Sequence, residues 1–150
     1  MKRYLLIALL LLTSLPLFSQ QYVDLGLPSG TLWKSSKEAG SYTFDDALRN
    51  YGGFIPSSGQ FRELLDNCTW KWAGKGYKVY GKNMKYIFLA TEAPENGEAV
   101  GGYWSCTRDG GNGDGVFGLL IFHFLNEPDR IGKIDRTRTT GNKRFVILCK

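Results

Sequence analysis

Trp70, Trp72, Tyr77 and Tyr80 stand close together in this 150-residue chain. Flat rings with a polar edge can stack on sugar rings, so these four are the first candidates for a ligand-binding platform. Trp70 and Trp72 lie two apart and share one face of any extended segment. Trp33 and Trp104 carry the same chemistry, but they fall in strand-like blocks and are expected in the core.

Other residue types fit catalysis less well. Glu92, Glu95 and Glu98 lie in one polar loop. A glycosidase holds two carboxylates roughly 5–10 Å apart across a cleft, and acids on a glycine-containing loop are not held that rigidly. They are read as solvated. The stretch Asp109–Gly115 (DGGNGDG) resembles part of a calcium loop in Asn112, Asp114 and Gly115, but its first ligand position is Gly110. A hairpin turn is the expectation there. His123 is the only histidine and lies inside the apolar run IFHFL, where a structural role is expected. No local motif marks a Ser or Cys nucleophile. With one histidine, three cysteines and no Cys-x-x-Cys, the chain lacks the ligands of a structural zinc site. No catalytic residue, metal or cofactor is expected.

The elements that must position these residues follow from spacing. Tyr22–Leu27 alternates as a strand, Pro28–Gly30 turns, and Thr31–Trp33 is extended again. Thr43 and Asp46 have capping-box spacing, and Phe44, Ala47, Leu48 and Tyr51 share a helical face that Gly52 and Gly53 terminate. Ser57 with Gln60 repeats the box, and Phe61, Leu64, Leu65 and Cys68 repeat the face. After Trp70 the pattern is β. Tyr77–Tyr80 and Tyr86–Leu89 flank a turn, Glu92–Gly102 is a loop, and Tyr103–Thr107 is a strand. Val116–Leu125 is apolar on both faces and should be a central strand. Ile131–Ile134 is short, and Phe145–Leu148 closes the chain. Two short helices followed by an antiparallel sheet make an α+β domain.

The first twenty residues have the layout of a secretory leader: Lys2 and Arg3, then the apolar run Leu5–Leu12, then Ser19 and Gln20. The run is too short for a bilayer core of about 30 Å, and no later segment is long and apolar enough to span. The expected organisation is a leader over residues 1–20 and one soluble domain over residues 21–150, periplasmic, at the cell surface or extracellular. The chain carries a formal charge of +5, and Arg130 to Lys150 hold seven cations against the single acid Asp135. Outside the cell such an excess meets acidic glycans or anionic surfaces sooner than nucleic acid, which is excluded as an expected partner. The expectation for these residues is nonetheless an ordinary solvated strand-and-loop face, with the acidic partner as the alternative.

Several blocks together resemble a known family. They are Tyr22–Trp33 (YVDLGLPSGTLW), Ile55–Ser57 (IPS) with Phe61–Leu65 (FRELL), Asn67–Trp70 (NCTW), Tyr86–Leu89 (YIFL) and Gly102–Ser105 (GYWS). In order and spacing they are similar to the Fibrobacter succinogenes major paralogous domain, found mostly in exported proteins of Bacteroidetes. That family is in turn similar to the C-type lectin-like fold, which formylglycine-generating enzymes share. The resemblance implies that Tyr22–Leu25 pairs with Phe145–Leu148, bringing the two ends together. The family often has a cysteine after its Leu-Trp, where this chain has Lys34–Ala39 (KSSKEA), so Cys68 is expected to be a buried free thiol. Cys106 stands where the family has a serine, and a Cys106–Cys149 disulfide is expected.

Calcium-dependent lectin-like domains carry a Glu-Pro-Asn or Gln-Pro-Asp tripeptide before a Trp-Asn-Asp strand. Here Asn126–Asp129 (NEPD) comes after the long apolar strand and no Trp-Asn-Asp follows, so a polar turn is expected. Formylglycine-generating enzymes use active-site cysteines near the chain end, which Cys149 alone does not reproduce. The resemblance implies a non-catalytic binding or adhesion module for a glycan or surface protein, without calcium, in an undetermined oligomeric state. A structural subunit of a surface assembly and an enzyme on the formylglycine-generating scaffold are the alternatives.

Overall fold

The computed structural model describes residues 22–150 except Asn112. The expected leader lies outside the described residues, as does part of the Asp109–Gly115 turn. The described chain is α+β: two short helices and three antiparallel sheets. β1 (Tyr22–Asp24) and β2 (Leu32–Lys34) form a hairpin with Val23 opposite Trp33. α1 (Phe44–Tyr51) and α2 (Ser58–Asn67) follow. Then come a sheet of β3 (Thr69–Trp72), β4 (Gly76–Tyr80) and β5 (Tyr86–Ala90), and a sheet of β6 (Ala99–Arg108), β7 (Gly115–His123) and β8 (Gly132–Arg138). Among the described residues no helix is long and apolar enough to cross a membrane.

Both helices start where their caps say. Thr43 Oγ1 accepts from the Asp46 N–H at 3.2 Å, while the Asp46 carboxylate turns to Arg49 instead of closing a box. At α2 the box is complete: Ser57 and Gln60 each accept from the other's backbone N–H. Helices this short are marginal alone and depend on burial. α1 buries Phe44 and Ala47 with Trp104, Val116, Val146 and Leu148. α2 buries Phe61 and Leu64 in a larger cluster with Trp33, Tyr103, Leu119 and Ile121.

The C-terminal segment separates these two clusters. Phe145, Ile147 and Cys149 belong to the larger cluster, and Val146 and Leu148 to the smaller, as the period of two in an extended chain requires. Its backbone alternates in the same way. Residues 144, 146, 148 and 150 bond to Tyr42, Glu38, Lys34 and Leu32 on one side; Phe145 bonds to β6 and Cys149 to Phe54 on the other. The C-terminal segment therefore pairs with β2, not with Tyr22–Leu25 as expected. β1 already folds back on the outer edge of β2 through the turn closed by Gly30 N–H to Leu27 O, so only the inner edge of β2 is free.

β7 is the central strand of its sheet, as its two-faced apolar pattern predicts. β6 begins at Ala99, within the expected Glu92–Gly102 loop, and β8 extends to Arg138, beyond the expected Ile134. Gly101 and Gly102 look like turn residues in sequence but serve close packing. A Cβ on Gly101 would lie 2.9 Å from Ala90 O, and Gly102 lies beneath Arg144. Arg144 runs along the row Trp104–Gly118–Asp135, which crosses β6, β7 and β8. Its guanidinium sits 5.4 Å from the Trp104 ring, and its Nη2 donates to Asp135 at 2.9 Å. The Trp104 indole N–H donates to Tyr42 O at 2.7 Å, joining this row to the segment ahead of α1.

Gly118 makes room for that arm. A Cβ there would lie 2.5 Å from Tyr103 O and 2.8 Å from Arg144 Nη1. Gly118→Ala is expected to cost about 2 kcal/mol through overpacking. Gly53→Ala, with open space around it, should stay within about 0.5 kcal/mol of the parent. Urea unfolding of the two variants side by side checks the contrast.

Candidate functional site

The β4–β5 hairpin decides where the four candidate aromatics point. Its turn is closed by Gly81 N–H to Lys85 O at 2.9 Å and Met84 N–H to Gly81 O at 3.0 Å, with Met84 in the left-handed region at φ 67°. Asn83 ties the turn to the segment after β1, its Nδ2 donating to Asp24 O at 2.8 Å. Gly81 is needed because any Cβ would collide with the Leu25 carbonyl. In the resulting register Thr69 faces Tyr80, Lys71 faces Lys78, Tyr80 faces Tyr86 and Lys78 faces Phe88.

The pleat splits the predicted platform. Tyr77 and Tyr80 are three apart and therefore lie on opposite faces. Trp70, Trp72 and Tyr77 turn inward and are packing residues, a correction to their expected role. Trp70 Nε1 donates to Leu64 O at 3.1 Å, tying β3 to the end of α2. The buried Tyr77 hydroxyl donates to Phe122 O at 2.6 Å, and burial raises its pKa. Trp72 stacks on His123 with ring centres 4.0 Å apart and planes within 2°. The Tyr77 edge meets Trp70 at 5.8 Å and Trp72 at 5.2 Å. His123 thus has the structural role its apolar neighbours suggest, holding the β3–β5 sheet against β7.

Tyr80 alone of the four points outward. There it joins Tyr86, Phe88, Lys71 and Lys78, residues not singled out from sequence. The Tyr80 and Tyr86 rings are 5.1 Å apart. Lys71 Nζ lies 5.3 Å from the Tyr80 ring centre, and Lys78 Nζ 5.1 Å from that of Tyr86. Two hollows flank the tyrosines and meet at the exposed Met84. One, about 700 Å³, is bounded by Tyr86, Tyr22 and Ser35. The other, about 240 Å³, is bounded by Tyr80, Thr69 and Asn67. The signal for this face was present in sequence. A turn over residues 81–85 sets Tyr80 against Tyr86, and alternation then adds Lys78 and Phe88.

All three cysteines are free thiols. The expected Cys106–Cys149 bond is not made: the Cys106 side chain faces solvent from β6, while Cys149 turns into the larger core cluster. Burial pushes the Cys149 thiol up to about 11, the neighbouring Cys106 adds to the rise, and a hydrogen bond from Gln60 opposes it. Cys68, half-buried, is pushed up to about 11 by desolvation and then by Glu63.

Three further acids have local partners. Asp109 pairs with Arg136 at 2.5 Å, and Asp114 accepts from Thr140 at 2.9 Å. Glu127 pairs with Arg130 at 3.1 Å in an exposed turn. Among the described residues no group of three or more His, Cys, Asp or Glu side chains is placed to hold a metal ion. No protein-family model, curated protein or solved structure matches this chain.

Two outcomes follow from this geometry. Trp72→Ala should cost about 2–4 kcal/mol by opening the contact with Tyr77 and His123, whereas Tyr80→Ala and Tyr86→Ala should each cost under about 1 kcal/mol; thermal unfolding ranks them. Both buried thiols have folded pKa values raised above the ordinary 9.0. The folded state then holds its thiol protons more tightly than the unfolded state does. That stability is complete below pH 9 and is lost as pH rises toward 11. The urea midpoint should fall across that window, and fall less in Cys68→Ser.

Proposed function

We propose that this chain is a non-catalytic binding or adhesion module of an exported protein. In this reading it is a relative of the Fibrobacter succinogenes major paralogous domain with a C-type lectin-like arrangement. The carrying observation is the outward face of β3–β5. Tyr80, Tyr86 and Phe88 are presented there with Lys71 and Lys78, on a sheet whose other face is fastened to the core. Packing does not require Tyr86 outside, where it is 45% exposed. An aromatic face flanked by hollows is suited to a glycan or to a surface protein. The lectin-like reading is supported by the two short helices and by β2 lying beside the C-terminal segment.

A glycan array of the purified protein tests the reading. Binding should persist in chelator and be lost in the Tyr80→Ala/Tyr86→Ala double variant while its circular dichroism stays unchanged. Wild-type and double variant giving the same pattern would remove this face from the proposal. Concentration-dependent self-association through it, read by analytical ultracentrifugation, would favour the assembly-subunit alternative.

A further inference from the structure

We infer that the ligand of this face is a polyanionic saccharide, a chain of uronate or sulfated sugars laid across the strands of β3–β5. The inference rests on the binding-module reading and adds the chemical class of its ligand.

Three tyrosine–lysine couples stand on this face or at its border. Lys71 stands over Tyr80 and Lys78 over Tyr86, and Lys150 Nζ lies 4.3 Å from the ring centre of Tyr22, which bounds the larger hollow. Lys82 and Lys85 flank Met84 where the two hollows meet. Among the described residues none of these five lysines is in an ion pair; the only lysine ion pair is Lys34 with Glu38. Asp24 is the one acid bounding either hollow, and its Oδ1 already accepts from the Gly26 N–H at 2.8 Å.

The register sharpens the point. Lys71 and Lys78 are directly opposite each other on neighbouring strands. Like charges in that position destabilise a sheet; each lysine rests over a tyrosine ring, but among the described residues no acid pairs with either. An anion placed between them would supply that missing charge. A neutral glycan would use the tyrosine rings and leave that repulsion in place; a polyanion uses both. From β3 through β4 and β5 to the Ser35–Ser36 stretch beside Phe88 there are three interstrand steps, roughly 15 Å. That length suits several linked sugars. The two open hollows beside the tyrosines give this face a relief that fits a polymer chain better than a flat anionic bilayer.

The test is isothermal titration of the purified protein with polygalacturonate, its fully methyl-esterified neutral form, and phosphatidylserine vesicles. The expected result is binding to polygalacturonate that weakens as salt rises from about 50 to about 500 mM. Lys71→Gln/Lys78→Gln should weaken it about tenfold or more, and Tyr80→Ala/Tyr86→Ala should abolish it. Equal binding to the neutral polymer, or tight binding indifferent to Lys71→Gln/Lys78→Gln, would overturn the charge assignment and leave the binding module intact. Binding to the vesicles alone would replace the saccharide by a membrane surface. Failure of every polymer and vesicle, together with glycan-array signals indifferent to the tyrosine variants, would remove both readings.

Discussion

The structure depends on one extended segment. Residues 144–150 run between the two apolar clusters and supply side chains to both. Phe145 to Cys149 are nearly all hidden from solvent, and a buried backbone must find partners for its polar groups. This one finds them in turn: Tyr42, Glu38, Lys34 and Leu32 on one side, β6 and Phe54 on the other. The partners come from three separate stretches of chain: residues 32–42, Phe54 and β6. The helices, the β1–β2 hairpin and the β6–β8 sheet are thereby held to a common axis. Each buried large apolar side chain in it contributes about 1.5–3 kcal/mol, but the positional constraint matters more. Without this segment, α1 and its small cluster would keep Trp104 and Val116 but lose Val146 and Leu148.

The candidate binding face is a by-product of how the second sheet is attached. β3–β5 is fastened from within by Trp70 to the end of α2, by the Tyr77 hydroxyl to β7 and by the Trp72–His123 stack. Those contacts occupy the inward rings. On the outward face Tyr86 and Lys71 are exposed, while Tyr80, Lys78 and Phe88 are half-buried. A tyrosine pair under lysines that lack acid partners is unusual for an ordinary solvated surface, where opposite charges are interspersed.

Helix starts, faces and ends were legible in the chain. Thr43, Ser57 and Gly52 act locally, and their consequences do not wait for distant contacts. The central position of β7 was legible too, because its apolar residues fall on both faces. The glycines misled in one place. Gly101 and Gly102 suggested a loop, yet in β6 they make room for Ala90 and Arg144, and no local pattern distinguishes a glycine kept for a turn from one kept for a neighbour. The aromatic platform failed for a related reason. Proximity in sequence grouped Tyr77 with Tyr80, while the pleat separates residues three apart; the β4–β5 turn, already recognisable, contained the correct grouping.

By itself the sequence determined the secondary elements, the α+β class and the residues available for burial, since capping and periodicity depend on a few neighbouring side chains. Tertiary structure alone decided that the closing segment lies against β2 instead of β1, because a hairpin had already occupied the outer edge. It also decided that Cys106 and Cys149 face different surroundings, and that Tyr80 and Tyr86 meet outside with two lysines opposed above them. Those outcomes depend on which strand edges remain open once the others have paired. That competition runs over the whole chain and leaves no mark on any single stretch of it.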